Sequence, residues 1–109
     1  MKQEYDHTCQ ICGERREKSE EQGYSEGHHI KPLGGKHEGP DIKSNILILC
    51  PNCHADMDYG MIKIDPETKK IKHKYDKKRN SKILSISEDD SVSKEYLEYH
   101  NKNILKSYN

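Results

Sequence analysis

Hydrophobic positions are sparse along the 109-residue chain, and they are unevenly spread. The only continuous aliphatic run is Ile46-Leu47-Ile48-Leu49, entered from Asp41-Ile42-Lys43-Ser44-Asn45 and stopped by Cys50-Pro51. Four β-branched or leucine residues between turn signals predict a short buried strand. From Pro51 to Tyr59 the proline comes early, the first turn is polar and Gly60 follows, which predicts a short helix. Upstream, residues 24–31 read as a short extended segment, because Pro32 disfavours helix in the residue before it. Residues 32–40 are dense in glycine and proline and form a loop. The predicted central unit is therefore strand, loop, strand, short helix.

The flanks carry weaker patterns. Residues 13–23 are almost wholly polar and predict an exposed, mobile loop. Met61–Asp65 and Lys70–Tyr75 alternate around Pro66-Glu67-Thr68-Lys69 and predict a hairpin, with lysines lining one side. Ile62, Ile64, Ile71, His73 and Tyr75 supply its other positions. Residues 76–91 read as irregular, except that Ile83-Leu84-Ser85-Ile86 suits a short strand. Val92, Tyr96, Leu97, His100, Ile104 and Tyr108 fall at helical spacing, and Ser87-Glu88-Asp89-Asp90 offers capping side chains just upstream. This predicts a C-terminal amphipathic helix over about residues 92–108, its stripe a core or dimer contact. The expectation is one α+β domain over residues 1–109, with a core at about 9–59, a basic hairpin at about 60–82 and the terminal helix.

Composition sharpens this picture. Hydrophobic residues are 30% of the chain, charged residues 35%, and Trp and Phe are absent. So modest an apolar supply invites a structural metal or an oligomer interface, and a homodimer is compatible with it. Formal charge is zero, yet residues 60–82 hold nine Lys and Arg against three acids, a local +6. Such a tract presents a positive face to a polyanion, or is an ordinary solvated lysine-rich hairpin. No apolar run approaches membrane-spanning length, and the first residues carry no hydrophobic signal region. A cytoplasmic protein is the simplest expectation, and in a reducing compartment four cysteines suit metal ligation better than disulfides.

Their spacing agrees. Cys9-Gln10-Ile11-Cys12-Gly13 and Cys50-Pro51-Asn52-Cys53 are two CxxC knuckles, together the four thiolates of a closed tetrahedral zinc site. The stretch between them is longer than in a compact zinc ribbon, so an inserted unit must bring them together. That unit contains His28 and His29, whose side chains diverge on a strand, and it ends at His54 next to Cys53. Neighbours on a helix point roughly 100° apart, so Cys53 can face a structural zinc while His54 faces His28.

The run His28-His29-Ile30-x-Pro32-Leu33, a glycine-rich loop, Asn45, and then Leu49-Cys50-Pro51-Asn52-Cys53-His54 resembles the HNH endonuclease family of ββα-metal fold. Glu26 before the histidine pair and the upstream Cys9–Cys12 knuckle suit its zinc-containing subgroup. The resemblance covers about residues 9–58. It implies that His29 is the general base that activates water against a phosphodiester. It further implies that Asn45 ties the loop that orients His29, and that His28 and His54 hold a catalytic divalent cation, Mg²⁺ or Mn²⁺. Imidazole ligands also suit Co²⁺ or Ni²⁺. Cys9, Cys12, Cys50 and Cys53 match the structural Zn²⁺ set. Asp58, one turn after His54, is a further candidate ligand or a solvent-facing carboxylate.

Under this resemblance the implied activity is a DNA endonuclease or nickase acting on double-stranded DNA, leaving 5′-phosphate and 3′-hydroxyl ends. Lys63, Lys70, Lys72 and Lys74 are then candidate phosphate contacts. The competing class is a non-catalytic zinc-binding module for nucleic acid or protein. It needs the cysteines but not His28, His29, Asn45 and His54 together.

Overall fold

The computed structural model describes residues 2–105, so the predicted stripe residue Tyr108 lies outside the described residues. Three antiparallel hairpins follow one another along the chain. They are β1 (Arg16–Ser19) with β2 (Gln22–Tyr24), β3 (Glu26–His29) with β4 (Ile46–Leu49), and β5 (Ile62–Ile64) with β6 (Ile71–His73). Helix α1 (Pro51–Asp58) follows β4, and α2 (Lys94–Asn103) closes the described chain.

The central unit forms as its pattern predicts. Leu47, Ile48 and Leu49 are buried, and β4 pairs with β3 so that His28 sits opposite Leu47 and His29 opposite Ile46. Helix α1 starts with Pro51 in its first turn, where no N–H is needed, and the Cys50 sulfur accepts the Cys53 N–H. Beyond its end, Gly60 takes a left-handed φ of 73° and donates its N–H to Met57 O. Met57 is fully buried and keys the helix to the core.

The loop between β3 and β4 is organised by one side chain. Asn45 is completely buried. Its Oδ1 accepts from Lys31 N at 2.8 Å, while its Nδ2 donates to Lys31 O at 3.0 Å and Pro40 O at 2.9 Å. Gly39 N donates to Pro32 O at 2.7 Å and draws the two loop ends together. A Cβ on Gly39 would fall 1.9 Å from Lys31 O, so only glycine permits this approach.

The flanks both confirm and correct the sequence reading. Residues 13–23, expected to be a mobile loop, contain the β1–β2 hairpin. Its pairing is made by backbone, and its strand side chains are exposed except at Gly23, so no apolar alternation marks it. Gly23 is packed against the N-terminal segment, where an added Cβ would meet His7 Cβ at 2.8 Å. Ile83–Ile86 does not form a strand: Ile83 makes a single bridge with Lys70, and Ser85 N turns away to Gln10 O. Tyr75 lies beyond the end of β6 and is 73% exposed.

Helix α2 starts after Ser93, whose side chain makes no capping bond. The expected cap Asp90 is instead engaged by the Tyr5 hydroxyl at 2.6 Å, and burial pushes the Tyr5 phenol above its ordinary pKa. The stripe is core within α2 at Leu97 and His100, which are buried with Ile62, Ile64 and Ile71, while the expected stripe residue Val92 is buried but precedes the helix. Each such aliphatic side chain contributes about 1.5–3 kcal/mol by leaving water. No helix among the described residues is long and apolar enough to cross a membrane.

The loop packing gives a paired prediction. Gly39→Ala should lower unfolding free energy in urea by about 2–4 kcal/mol, since backbone must move to admit a methyl group. Gly34→Ala, with open space around it, should stay within about 0.5 kcal/mol of the parent. Equal midpoints for the two variants would contradict the tight Gly39–Lys31 approach.

Candidate metal centres and active site

Two clusters of potential ligands stand on either side of α1. Cys9, Cys12, Cys50 and Cys53 form the first, with ligand atoms all within 4.8 Å of one another. The Cys12 and Cys50 sulfurs are 3.7 Å apart, against about 3.8 Å for two thiolates on one tetrahedral zinc. Backbone donors build the knuckles: Gly13 N bonds Cys9 O, and Cys53 N reaches Cys50 Sγ. Gln10 clips the first knuckle to the sheet, since its Oε1 accepts from Ile48 N at 2.8 Å and its Nε2 donates to Ser85 O at 2.7 Å.

Crowding splits the acidities of Cys9, Cys12 and Cys53. Hydrogen bonds from Cys50 and Cys53 hold the Cys9 thiol far below its ordinary range, while burial pushes Cys12 up to about 12. Cys53 is driven up because its thiol donates to Cys50 and Cys9. Four thiolates packed this closely need a cation, so the donor set fits Zn²⁺. One cation is built in: Arg79 Nη1 donates to Cys53 Sγ at 3.2 Å. The same guanidinium pairs with Asp56 at 2.8 Å and Asp76 at 2.9 Å, and Asp56 also pairs with His73 Nε2 at 2.9 Å. Arg79 thereby ties the basic segment to α1 beside the cysteines.

The second cluster is His28, His54 and Asp58. Strand periodicity puts Glu26 and His28 on one face of β3, and that face meets α1. The His28 and His54 rings approach edge to face at 5.1 Å between centroids. Asp58 Oδ1 is 3.4 Å from His28 Nδ1, and its Oδ2 is 3.5 Å from His54 Nε2, so three donors converge. Burial pushes the His28 pKa down to about 3, leaving the ring neutral near pH 7, the form that can ligate. His54 Nδ1 lies 2.8 Å from Glu26 Oε1, and Tyr24 donates to Glu26 Oε2 at 2.6 Å. These two bonds, Tyr24 first, hold the Glu26 carboxyl below its ordinary value. A carboxylate behind a ligating imidazole fixes its tautomer and orientation, so the set fits a divalent cation.

His29 is not part of that cluster. It turns to the other side of β3, where its Nε2 lies 2.8 Å from Asp41 Oδ1. Among the described residues no hydrogen bond joins it to Asn45, which bonds instead the backbone of the next two residues, Ile30 and Lys31. Of the candidate lysines, Lys63 and Lys72 face each other across the β5–β6 pair, opposite the buried Ile62, Ile64, Ile71 and His73. Lys63, Lys70 and Lys72 line a shallow concavity of about 380 Å³ with Asp65, Ile71, Asn80 and Ser81. Lys74 is not in its lining, and its ammonium sits 5.6 Å from the Tyr75 ring centroid. The partners that sequence reasoning passed over are Asp41, Arg79 and the Glu26–His54 bond. Only Glu26 had a motif position to point to it.

A hairpin followed by a two-turn helix, with imidazoles from both turned to one point, defines a small ββα-metal nuclease fold. A family model described as HNH endonuclease matches residues 9–57 of the chain. Among solved structures, the modification dependent TagI restriction endonuclease superposes with a TM-score of 0.85 at 34% identity, covering 98% of this chain and 36% of that one. Among curated proteins, large ribosomal subunit protein uL24 of Aquifex aeolicus (strain VF5) is 33% identical over 67 residues, 55% of this chain and 51% of that protein. The chain thus spans about half of that relative and about a third of the restriction endonuclease. The matched family and the structural neighbour are nucleases.

The cysteine geometry predicts one zinc per chain, measured by elemental analysis of the purified protein, and its loss together with cooperative unfolding in Cys53→Ser. A Cys53→Ser protein that folds normally without zinc would contradict a structural role for the cluster.

Proposed function

We propose that the chain is a metal-dependent DNA endonuclease or nickase that hydrolyses phosphodiester bonds of double-stranded DNA. The observation that carries this reading is the convergence of His28, His54 and Asp58 on one point, separate from the four cysteines, while the Asn45-bound loop sets His29 at the end of the same strand. A structural zinc scaffold alone has no need of this second cluster.

His28 Nδ1, His54 Nε2 and a carboxylate oxygen of Asp58 would hold the cation, Mg²⁺ or Mn²⁺, with Co²⁺ and Ni²⁺ also suited to imidazole donors. When bound, the cation supplies Lewis-acid stabilisation of charge on the phosphoryl oxygens and the departing 3′-oxygen. With Nε2 of His29 held by Asp41, Nδ1 is left to take the proton of an attacking water. The water oxygen bonds to phosphorus as the P–O3′ bond breaks, giving a 5′-phosphate and a 3′-oxygen that takes a proton from solvent. Imidazole is a side chain suited to general-base work. Asn45 contributes by holding the backbone from which His29 projects. The Cys9, Cys12, Cys50 and Cys53 set would hold the structural Zn²⁺.

Substrate is held by charge. Lys63, Lys70, Lys72 and Lys74 sit on or beside the exposed face of a basic hairpin that His73 and Arg79 anchor to α1. Contacts of this kind bind phosphate without reading sequence. A second reading, a non-catalytic zinc-binding module for nucleic acid or protein, would use the four cysteines alone.

Nicking of supercoiled plasmid with Mn²⁺ separates the two readings. His29→Ala should lose about 10²- to 10⁴-fold in rate while retaining zinc and its unfolding midpoint. Equal nicking by parent and variant would remove the catalytic reading and leave the zinc module. Independently, reversing Lys70, Lys72 and Lys74 to Glu should weaken duplex binding and flatten its salt dependence, each lost phosphate contact lowering the log–log slope by about 0.9. An unchanged slope would return the tract to a solvated surface.

A further inference from the structure

We infer that His100, on α2 and outside the family-matched segment, is the outer partner of His28, receiving the Nε2 proton of that ring on its own Nδ1 across one buried water. This rests on the reading of His28, His54 and Asp58 as the cation site. Proton placement makes the argument. His28 presents Nδ1 to Asp58 at 3.4 Å, so a His28 that ligates through Nδ1 must carry its proton on Nε2. That Nε2 is buried and has no hydrogen-bond partner among the described residues. A buried N–H left without an acceptor costs about 1–3 kcal/mol, and imidazoles that ligate metals almost always donate the other N–H.

His100 holds the complementary half. It is 1% exposed, and its Nε2 lies 3.0 Å from Ile62 O. A carbonyl only accepts, so Nε2 of His100 carries the proton and Nδ1 is left with a lone pair. That Nδ1 is also buried and without a partner among the described residues. One ring thus holds an orphaned donor and the other an orphaned acceptor, and they lie close enough for the charge of one to be felt at the other. Asp58 is likewise felt at His100. The remaining unpartnered buried side-chain atom among the described residues, Asn101 Oδ1, belongs to a side chain already tied to Ile64 O, two residues further along β5. A relay from His28 through His100 to the Ile62 carbonyl satisfies every nitrogen of both rings. It makes α2 part of the cation site, although α2 lies beyond the matched segment.

His100 acts here as a positioning residue, and two near-isosteres divide its duties. His100→Gln can keep a donor to Ile62 O while offering no acceptor where Nδ1 sits. His100→Asn can keep an acceptor there while giving up the Ile62 bond. In the full zinc-loaded chain, Mn²⁺ affinity is measured by electron paramagnetic resonance titration, alongside zinc content and thermal midpoint. His100→Gln should bind Mn²⁺ about 10-fold or more weakly with zinc content and midpoint near the parent. His100→Asn should show the reverse, a lowered midpoint with Mn²⁺ affinity close to the parent. Parent-like Mn²⁺ binding by His100→Gln, or equal losses in both variants, would overturn the relay. If His28→Ala also binds Mn²⁺ like the parent, the cation-site reading falls with it. If His28→Ala alone loses Mn²⁺, the relay alone is wrong.

Discussion

Helix α1 is eight residues long and would have almost no stability by itself. Residues of both ligand clusters nevertheless hang on it or on its N-cap: Cys50 and Cys53 on one side, His54 and Asp58 on the other. The constraint is angular. Successive helical residues differ by about 100°, so Cys53 and His54 must face different ways. Anchoring the cysteine side therefore aims the histidine side without any direct contact between the clusters. The short helix is held in place by what surrounds it, namely the knuckle at Cys9–Cys12, the buried Met57 and the Asp56 network with His73 and Arg79.

The remaining geometry follows from β3. Its two-residue period sends Glu26 and His28 to α1 and His29 away from it, where Asp41 receives the ring. Asn45 fixes where β3 ends, because its three side-chain hydrogen bonds close the loop on Lys31 and Pro40. A buried amide that satisfies loop backbone in this way rigidifies the segment next to the site more than it adds stability. The basic hairpin and α2 pack on the same core, and Asp56 ties the positive tract to α1.

Much of the centre was legible because it is written in short-range signals. The two CxxC knuckles, the proline at the start of α1 and the aliphatic run of β4 each constrain a few adjacent residues. Helix α2 and its core stripe were legible for the same reason, through the spacing of Leu97 and His100. The β1–β2 hairpin was not, since both its faces are exposed and its one buried residue, Gly23, has no side chain to register a pattern. The contacts of Asp41, Arg79 and His100 were illegible for a different reason. Their partners His29, Cys53 and Ile62 are 12, 26 and 38 residues away, and only tertiary packing brings them together.

On the proposed reading, one short helix separates two metal centres with different tasks. Anomalous diffraction at the zinc and manganese edges, from crystals grown with Mn²⁺, tests it directly. A zinc peak enclosed by Cys9, Cys12, Cys50 and Cys53 and a manganese peak among His28, His54 and Asp58 are expected. A single metal recruiting both Cys53 and His54, or manganese bound away from His28, would contradict it.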